Sequence, residues 1–389
     1  ASSYKSTTTT SLAQPREVHA ALSPATPMGS TKTVLACKYG APWWLDDPKE
    51  RAEDQTTGRA KQNLFYAFCV AACFGVIFHT HQSGDLAFDV TPAEIAVASP
   101  LIPAEALLAF RIFAACFWLI SVVHQYAQPK GSMGFENLSG SREIWFHHGG
   151  AWRWQGLTWW SWGLVGLYFV VSSCVTLGVH TSPGLAAHKQ PSAAASLAVL
   201  LLGLATDFAF MVTFIVTYVL IPGKLKKRYD VDAFFNIHAL LQHNANLLLM
   251  VAELLLSGAR GERTSGQLPA SSAPCLLLRG RGPSLLLAGM HVRFVHFPFG
   301  LLFGLGYVII WHQNIRWRIT HTLIYPFLSW QHPHALKVQA VLQLVLFGFF
   351  ALAWCVAEVL RPQPWGPPAV IALTCSLLWI RKPEVPARP

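Results

Sequence analysis

The sequence predicts an all-α fold, a polytopic transmembrane helix bundle of seven or eight spans, and three observations carry that expectation. The 389 residues are 53% hydrophobic and only 12% charged, against about a quarter charged in ordinary soluble domains. Mean hydropathy is +0.38. The apolar residues also gather in repeated runs of about 20, the length that crosses about 30 Å of hydrocarbon at 1.5 Å per residue. A soluble domain, a disordered chain and a secreted disulfide scaffold are excluded by the same balance.

Residues 1–61 form a polar tail whose opening is rich in Ser, Thr and Ala and almost free of acid. That composition reads as an organelle transit region or a disordered arm, and a neighbouring membrane subunit is its expected partner. Residues 62–102 hold an extra first span, 62–79, and a loop broken by Pro92 and Pro100 that contains no Lys or Arg. The core, 103–360, carries spans expected at 103–126, 157–180, 194–221, 233–257, 289–312 and 335–360. Within it, 258–288 is a Gly/Arg/Ser/Pro-rich, low-complexity insertion with neither helical nor strand period, and it reads as a solvent loop. Residues 361–389 bring a short apolar segment, 365–380, and a terminal tail.

The net charge of +10 arises from 29 Lys and Arg against 19 Asp and Glu. In a soluble protein that excess would suggest nucleic acid; here it reports topology, and no nucleic acid partner is expected. Counting Lys337 at the mouth of the seventh span, 21 basic residues flank the side of the N-terminal tail and 6 the opposite side. With eight spans, this bias puts both termini on the cytoplasmic, matrix or stromal side. The eight cysteines are scattered without a CxxC pair and read as inert thiols.

Ionisable and polar groups in hydrocarbon cost about 2.5 to 3.5 kcal/mol each for the charged ones, so each needs a partner or a role. Two spans concentrate them. In the fifth, Asn236, His243, Asn246 and Glu253 stand 7, 3 and 7 positions apart, which confines them to an arc of about 100°. In the third, Thr158, Ser161, Ser172 and Thr176 fall within a narrower arc. Facing stripes would let an imidazole activate a hydroxyl, which makes Thr158 or Ser161 with His243 a candidate nucleophile and base. The competing reading is interhelical hydrogen bonding without chemistry. Asp207 and Glu358 are lone acids expected to pair with Arg111, Arg293 or a backbone group.

No cofactor is expected. His238 and His243, like His291 and His296, are five residues apart, a net turn of about 140° that points the members of each pair to different sides. Elbow, zincin, P-loop and dinucleotide fingerprints do not occur. Gly300 and Gly304 fit close helix packing, and the Trp152–Trp162 cluster fits an interfacial aromatic belt, which sets Thr158 near one membrane surface.

The ordered runs GGAWRWQGLTWWSWGLVGLYFVVSSC, HNANLLLMVAELLL, GLGYVIIWHQ, LIYPFLSW and WCVAEVL resemble the androgen-induced hydrolase family of eukaryotic membrane proteins, which is related to the rolling stone proteins. The resemblance covers roughly residues 104–360. It implies an atypical threonine hydrolase that cleaves fatty acid esters of hydroxy fatty acids in the endoplasmic reticulum membrane. The family's nucleophilic Thr follows a Leu at the start of a span, as Thr158 follows Leu157. Its His precedes a Glu by ten residues, as His243 precedes Glu253. One departure stands out: the family carries a second His in an NHGMH-like run, where this chain has Leu240 in LLQHN.

On that resemblance the expected function is an integral membrane lipid esterase, with Thr158 as nucleophile and His243 as base. Asn244, Asn246 and Ser161 are the candidate substrate-binding groups, and membrane lipids the partners. The alternative is a non-catalytic lipid-binding or scaffolding subunit of a larger membrane complex, in the mitochondrial inner membrane or another organelle membrane. Spans beginning at 157 and 233 would leave Thr158 about 1.5 Å and His243 about 15 Å below the surface, too far apart to touch. A third span that begins near Trp152, or a fifth that begins near His238, would reduce the gap to about a turn.

Overall fold

A computed structural model describes residues 57–84, 86, 90–97, 102–127, 131–136, 143–148, 154, 156–182, 190–226, 231, 234–257, 291–316, 325, 328 and 334–378. The expected partner contact of the tail and the 258–288 insertion lie outside the described residues. Seven helices are long and apolar enough to cross a membrane: Ala60–Gln82, Ala104–Ala127, Leu157–Thr181, Ala193–Gly223, Ile237–Leu256, Phe294–Ile315 and Ala335–Leu360. They are referred to below as the first to seventh spans, and they make the chain an all-α integral membrane protein. The eighth apolar segment is a helix only at Gly366–Leu377, 12 residues, or about 18 Å at 1.5 Å per residue. That is short of a crossing.

Hydrogen bonds between helices fix their directions. Arg111 meets Thr176 and Trp162 meets Ser121, so the second and third spans are antiparallel. Asn246 meets Ser161 and Tyr168 meets Glu253, so the third and fifth run parallel. Gln313 meets Gln62 and His296 meets Leu86 O, so the first and sixth are antiparallel. Below, the lower end of the bundle is the one at which the first, third, fifth and seventh spans begin.

The fourth span occupies the centre, with 83% of its most apolar stretch buried, whereas the first span lies at the margin with 11%. A helix apolar on every side suits the middle of a bundle. Small residues such as Ala195, Ala198, Ala205 and Ala209, all fully buried, let its neighbours approach closely where lipid offers no hydrophobic drive for association.

Two segments depart from the sequence expectation. Part of the loop at 80–102 enters the bundle: Thr91 and Glu94 form a reciprocal capping box at Pro92–Ile95, and Ile95 is fully buried. Pro92 starts a helical turn as well as interrupting a span, because proline lacks only a donor that the first turn does not use. The connection after the second span contains an antiparallel pair, Gly131–Glu136 with Glu143–His148, in register Gly131↔His148 to Glu136↔Glu143. Alternation is weak in both strands, and it is the pairing of backbone groups that defines them.

At the upper end Arg361 donates from Nη1 to the carbonyls of Leu254 at 2.9 Å and Ser257 at 3.1 Å, closing the C-terminus of the fifth span. Burial pushes this guanidinium down from its ordinary value, and Glu358 and Glu253 act in the opposite direction. Glu358 accepts from Val292 N at 2.7 Å and lies 2.6 Å from His291 Nδ1. Its partners are therefore a backbone group, as expected, and a histidine rather than an arginine.

Glycine contacts give an early test of the packing. A Cβ on Gly166 would stand 2.0 Å from the rigid indole of Trp118, while one on Gly304 would stand 2.6 Å from Leu346 Cδ1, the end of a rotatable chain. Gly166→Ala should lower unfolding stability by about 1–3 kcal/mol, and Gly304→Ala by distinctly less. Thermal unfolding of both variants in one detergent measures the difference; equal losses would contradict this packing of the second span on the third.

Candidate functional site

The two polar stripes do meet, in layers along the parallel third and fifth spans. The deepest layer is an ion pair: Arg111 Nη2 and Nε donate to Glu253 Oε1 at 2.6 Å and 3.1 Å, and both side chains are fully buried. Tyr168 OH donates to Glu253 Oε1 at 2.7 Å. Arg111 Nη1 donates to Ile95 O at 2.8 Å and to Thr176 Oγ1 at 2.5 Å. The carboxylate thus has an opposite charge and a hydroxyl donor, and the guanidinium has several acceptors, the condition under which a charge pair survives in a low-dielectric interior. Ser172 and Thr176 also donate to carbonyls of their own helix, Phe169 O and Ser172 O. This part of the stripe is structural.

Seven residues toward the lower end, Asn246 Nδ2 donates to Ser161 Oγ at 2.7 Å, again with both side chains fully buried. The two contacts share one sequence offset, 85 residues, so the helices keep register over two turns. Carried a further turn down, that offset sets Thr158 level with His243. The expected vertical gap is absent because the two helices do not start level: the same offset sets Leu157 beside Gln242, so the fifth span, which begins at Ile237 after Asn236 caps it by accepting from Ala239 N at 2.9 Å, starts about five residues lower. Asn236 is therefore a cap and not a member of the stripe.

At this level the geometry is open rather than bonded. Thr158 is half-buried in the first turn of its helix, and no hydrogen bond joins it to His243. His243 is buried, its Nδ1 has no hydrogen-bond partner among the described residues, and its ring stands 6.2 Å from that of Phe234. It sits in a widened turn, Leu241–Ala245, whose hydrogen bonds span five residues. In a regular helix His243 would share the face of Asn246; the wider turn alters that phase, a distortion often found at functional positions. Thr213 of the fourth span donates its hydroxyl to His243 O and fixes the turn. Asn244, in the same turn, is half-buried.

Around this level lie further polar contacts outside the two stripes. Gln242 Nε2 donates to Gln125 Oε1 at 2.8 Å, and the rings of His124 and His238 stand 5.1 Å apart. The histidine pairs have separate surroundings, with His291 beside Glu358 and His296 beside Leu86 O. No group of three or more His, Cys, Asp or Glu suited to a metal occurs among the described residues. Asp207, expected to pair with an arginine or a backbone group, is buried in the fourth span and neither oxygen has a partner among the described residues. Gly300 leaves it room, since a Cβ there would lie 3.2 Å from Asp207 Oδ2. Arg111 goes instead to Glu253, which lies on the packed side of the second and third spans.

The Ser161–Asn246 bond has a measurable consequence. Ser161→Ala leaves a buried amide donor unmet and should cost about 1–3 kcal/mol, while Ser161→Ala combined with Asn246→Leu should recover part of that. Unfolding of the single and double variants in detergent decides it. A single-variant loss below about 0.5 kcal/mol would contradict a buried bond.

In comparisons with family models, curated proteins and solved structures, the chain matches none.

Proposed function

We propose that the chain is a membrane-embedded hydrolase of acyl esters, such as a fatty acid ester of a hydroxy fatty acid, with Thr158 as nucleophile and His243 as base. The observation that supports it best is the shared register of the third and fifth spans, which leaves a half-buried hydroxyl and a buried imidazole at one depth. An unbonded Nδ1 on that imidazole is the second support. In this scheme His243 takes the Thr158 proton, the oxygen attacks the ester carbonyl, and His243 returns the proton to the departing alcohol. Water then hydrolyses the acyl-threonine and restores both groups. Ser161 and Asn246 line the next turn; the second N–H of the Asn246 amide and the Asn244 amide are the donors nearest in sequence to the developing oxyanion. A substrate with long acyl chains reaches such a site from the bilayer.

The second reading, a non-catalytic lipid-binding or scaffolding subunit, is favoured by the lack of a hydrogen bond between Thr158 and His243. Residence in the endoplasmic reticulum belongs to the hydrolase proposal through the family resemblance, and another organelle membrane belongs to the scaffold reading. Labelling of the full chain in membranes with a fluorophosphonate probe separates the two. The hydrolase reading expects labelling that disappears in Thr158→Ala and in His243→Ala and persists in Ser172→Ala. Labelling retained in Thr158→Ala rejects the pair.

A further inference from the structure

A second buried polar cluster lies at the lower end of the bundle, on the opposite flank from Arg111 and Glu253, where the first, sixth and seventh spans meet. Gln313 Nε2 is its hub, placed 3.1 Å from Gln62 Oε1, 3.0 Å from Tyr66 OH and 3.1 Å from Leu328 O. Gln62, Tyr66, Gln313 and Gln339 are each at most 4% exposed. These glutamines form no stripe in the sequence, because they are spread over three spans.

The seventh span brings Gln339 to this level. Gly300 faces Phe350 and Gly304 faces Leu346, so the sixth and seventh spans run antiparallel. Leu346 and Phe350 lie seven and eleven residues beyond Gln339, which puts all three on one helical face. Following the same register downward, Gln339 stands opposite the turn that contains Trp311 and His312, and Gln343 stands one turn above. His312 is fully buried between the rings of Tyr307 and Tyr325, each 5.4 Å away.

What distinguishes this cluster is unused hydrogen-bonding capacity. Gln339 is fully buried, yet neither its Nε2 nor its Oε1 has a partner among the described residues. Gln62 Nε2, Trp311 Nε1 and Gln343 Oε1 are likewise buried and without partners there. A buried amide that bonds nothing costs about 1–3 kcal/mol, so several of them near one level of neighbouring spans call for a ligand or ordered water.

The chemistry of the unmet atoms selects the ligand. Three are N–H donors and two are carbonyl acceptors, so the matching group must both accept and donate. No Lys, Arg, Asp or Glu is among the residues named here, and the unmet Oε1 atoms would repel an anion. An uncharged head with hydroxyl and carbonyl oxygens meets these requirements. The first span, which forms one wall, is the least buried of the seven, so a ligand dissolved in the bilayer meets the thinnest barrier on this side.

We propose that the amides of Gln62, Gln339 and Gln343, with Trp311 Nε1, form a binding site for the head of a neutral glyceride, with its acyl chain lying along the margin of the first span. Leu157 and Trp160, on either side of Thr158, pack against the surroundings of this site, with the Trp160 ring 6.2 Å from that of Trp311, but the site uses neither Thr158 nor His243 and does not rest on the hydrolase reading.

The test uses the full chain carrying Thr158→Ala, so that no hydrolysis can consume the ligand, purified in detergent and titrated with a monoacylglycerol while thermal unfolding is followed. Stabilisation should rise with ligand and saturate, as it does for a ligand that binds only the folded state. Gln339→Leu should weaken the apparent affinity about tenfold, equivalent to about 1.4 kcal/mol. Gln339→Met serves as a second variant of similar shape, and the free fatty acid of equal chain length should stabilise far less. Three results would each overturn the site: no saturable stabilisation, an unchanged response in both Gln339 variants, or an equal response to the fatty acid. Should Gln339→Leu simply raise the melting temperature with no glyceride response in either protein, the amides hold water alone. Failure of fluorophosphonate labelling leaves this result untouched, so the two proposals fall separately.

Discussion

Replacing Arg111 with leucine should lower the stability of the bundle by about 3–5 kcal/mol, the range found when one partner of a buried ion pair is removed. Several effects add. Glu253 loses the guanidinium that lies 2.6 Å from it and remains fully buried with only the Tyr168 hydroxyl. Ile95 O and Thr176 Oγ1 lose the donor that ties the 80–102 segment and the third span to the second. Glu253→Leu should cost a similar amount, by leaving the cation without its counter-charge. The double variant Arg111→Leu/Glu253→Leu should be clearly more stable than either single one, since a matched pair of apolar residues leaves no charge to desolvate. Unfolding of the four proteins in one detergent measures the coupling. Single-variant losses under about 1 kcal/mol, or additive losses in the double variant, would refute the ion pair.

On the hydrolase reading, ester turnover should fall about 10²–10⁴-fold in His243→Ala, the usual contribution of a positioned base, and at least as far in Thr158→Ala. Groups that act as one unit are not additive, so the double variant should be no slower than the slower single one. Thr158→Ser should keep measurable turnover because it keeps the hydroxyl. Thr158 is half-buried and takes part in no hydrogen bond with His243, so Thr158→Ala should shift stability by less than about 0.5 kcal/mol. That separates a chemical effect from a folding one. Turnover within threefold of the parent in Thr158→Ala would leave the scaffold reading standing.

Part of the polar seam between the third and fifth spans was legible before any coordinates. The spacing of His243, Asn246 and Glu253 marked one face of the fifth span, and Ser161 was named with them; Ser161 and Asn246 do bond across the two helices. Other assignments were not legible. Glu253 looked like a stripe member equal to the rest, but it is neutralised by Arg111, 142 residues earlier. Opposite charges near mid-depth in two spans were the available signal, yet which of Asp207, Glu253 and Glu358 would take Arg111 depends on which helices touch. Asn236 had the right phase for the stripe, and its role changed because the helix starts one residue later and turns it into a cap. The widened turn at Leu241–Ala245 has no compositional mark, since it arises from contacts with the fourth span.

The sequence by itself determined that the chain is helical, that seven segments have the length and hydropathy to span a bilayer, and roughly where each begins and ends. These are local properties: the cost of burying polar backbone in hydrocarbon forces each long apolar run into a helix regardless of its neighbours. Tertiary structure alone decided the helix directions, the choice of the fourth span as the centre, the pairing of Arg111 with Glu253 and the gathering of glutamines from three spans. Those depend on contacts between residues far apart in the chain, where the gain from meeting one partner is settled by geometry and by which competing partners lie out of reach.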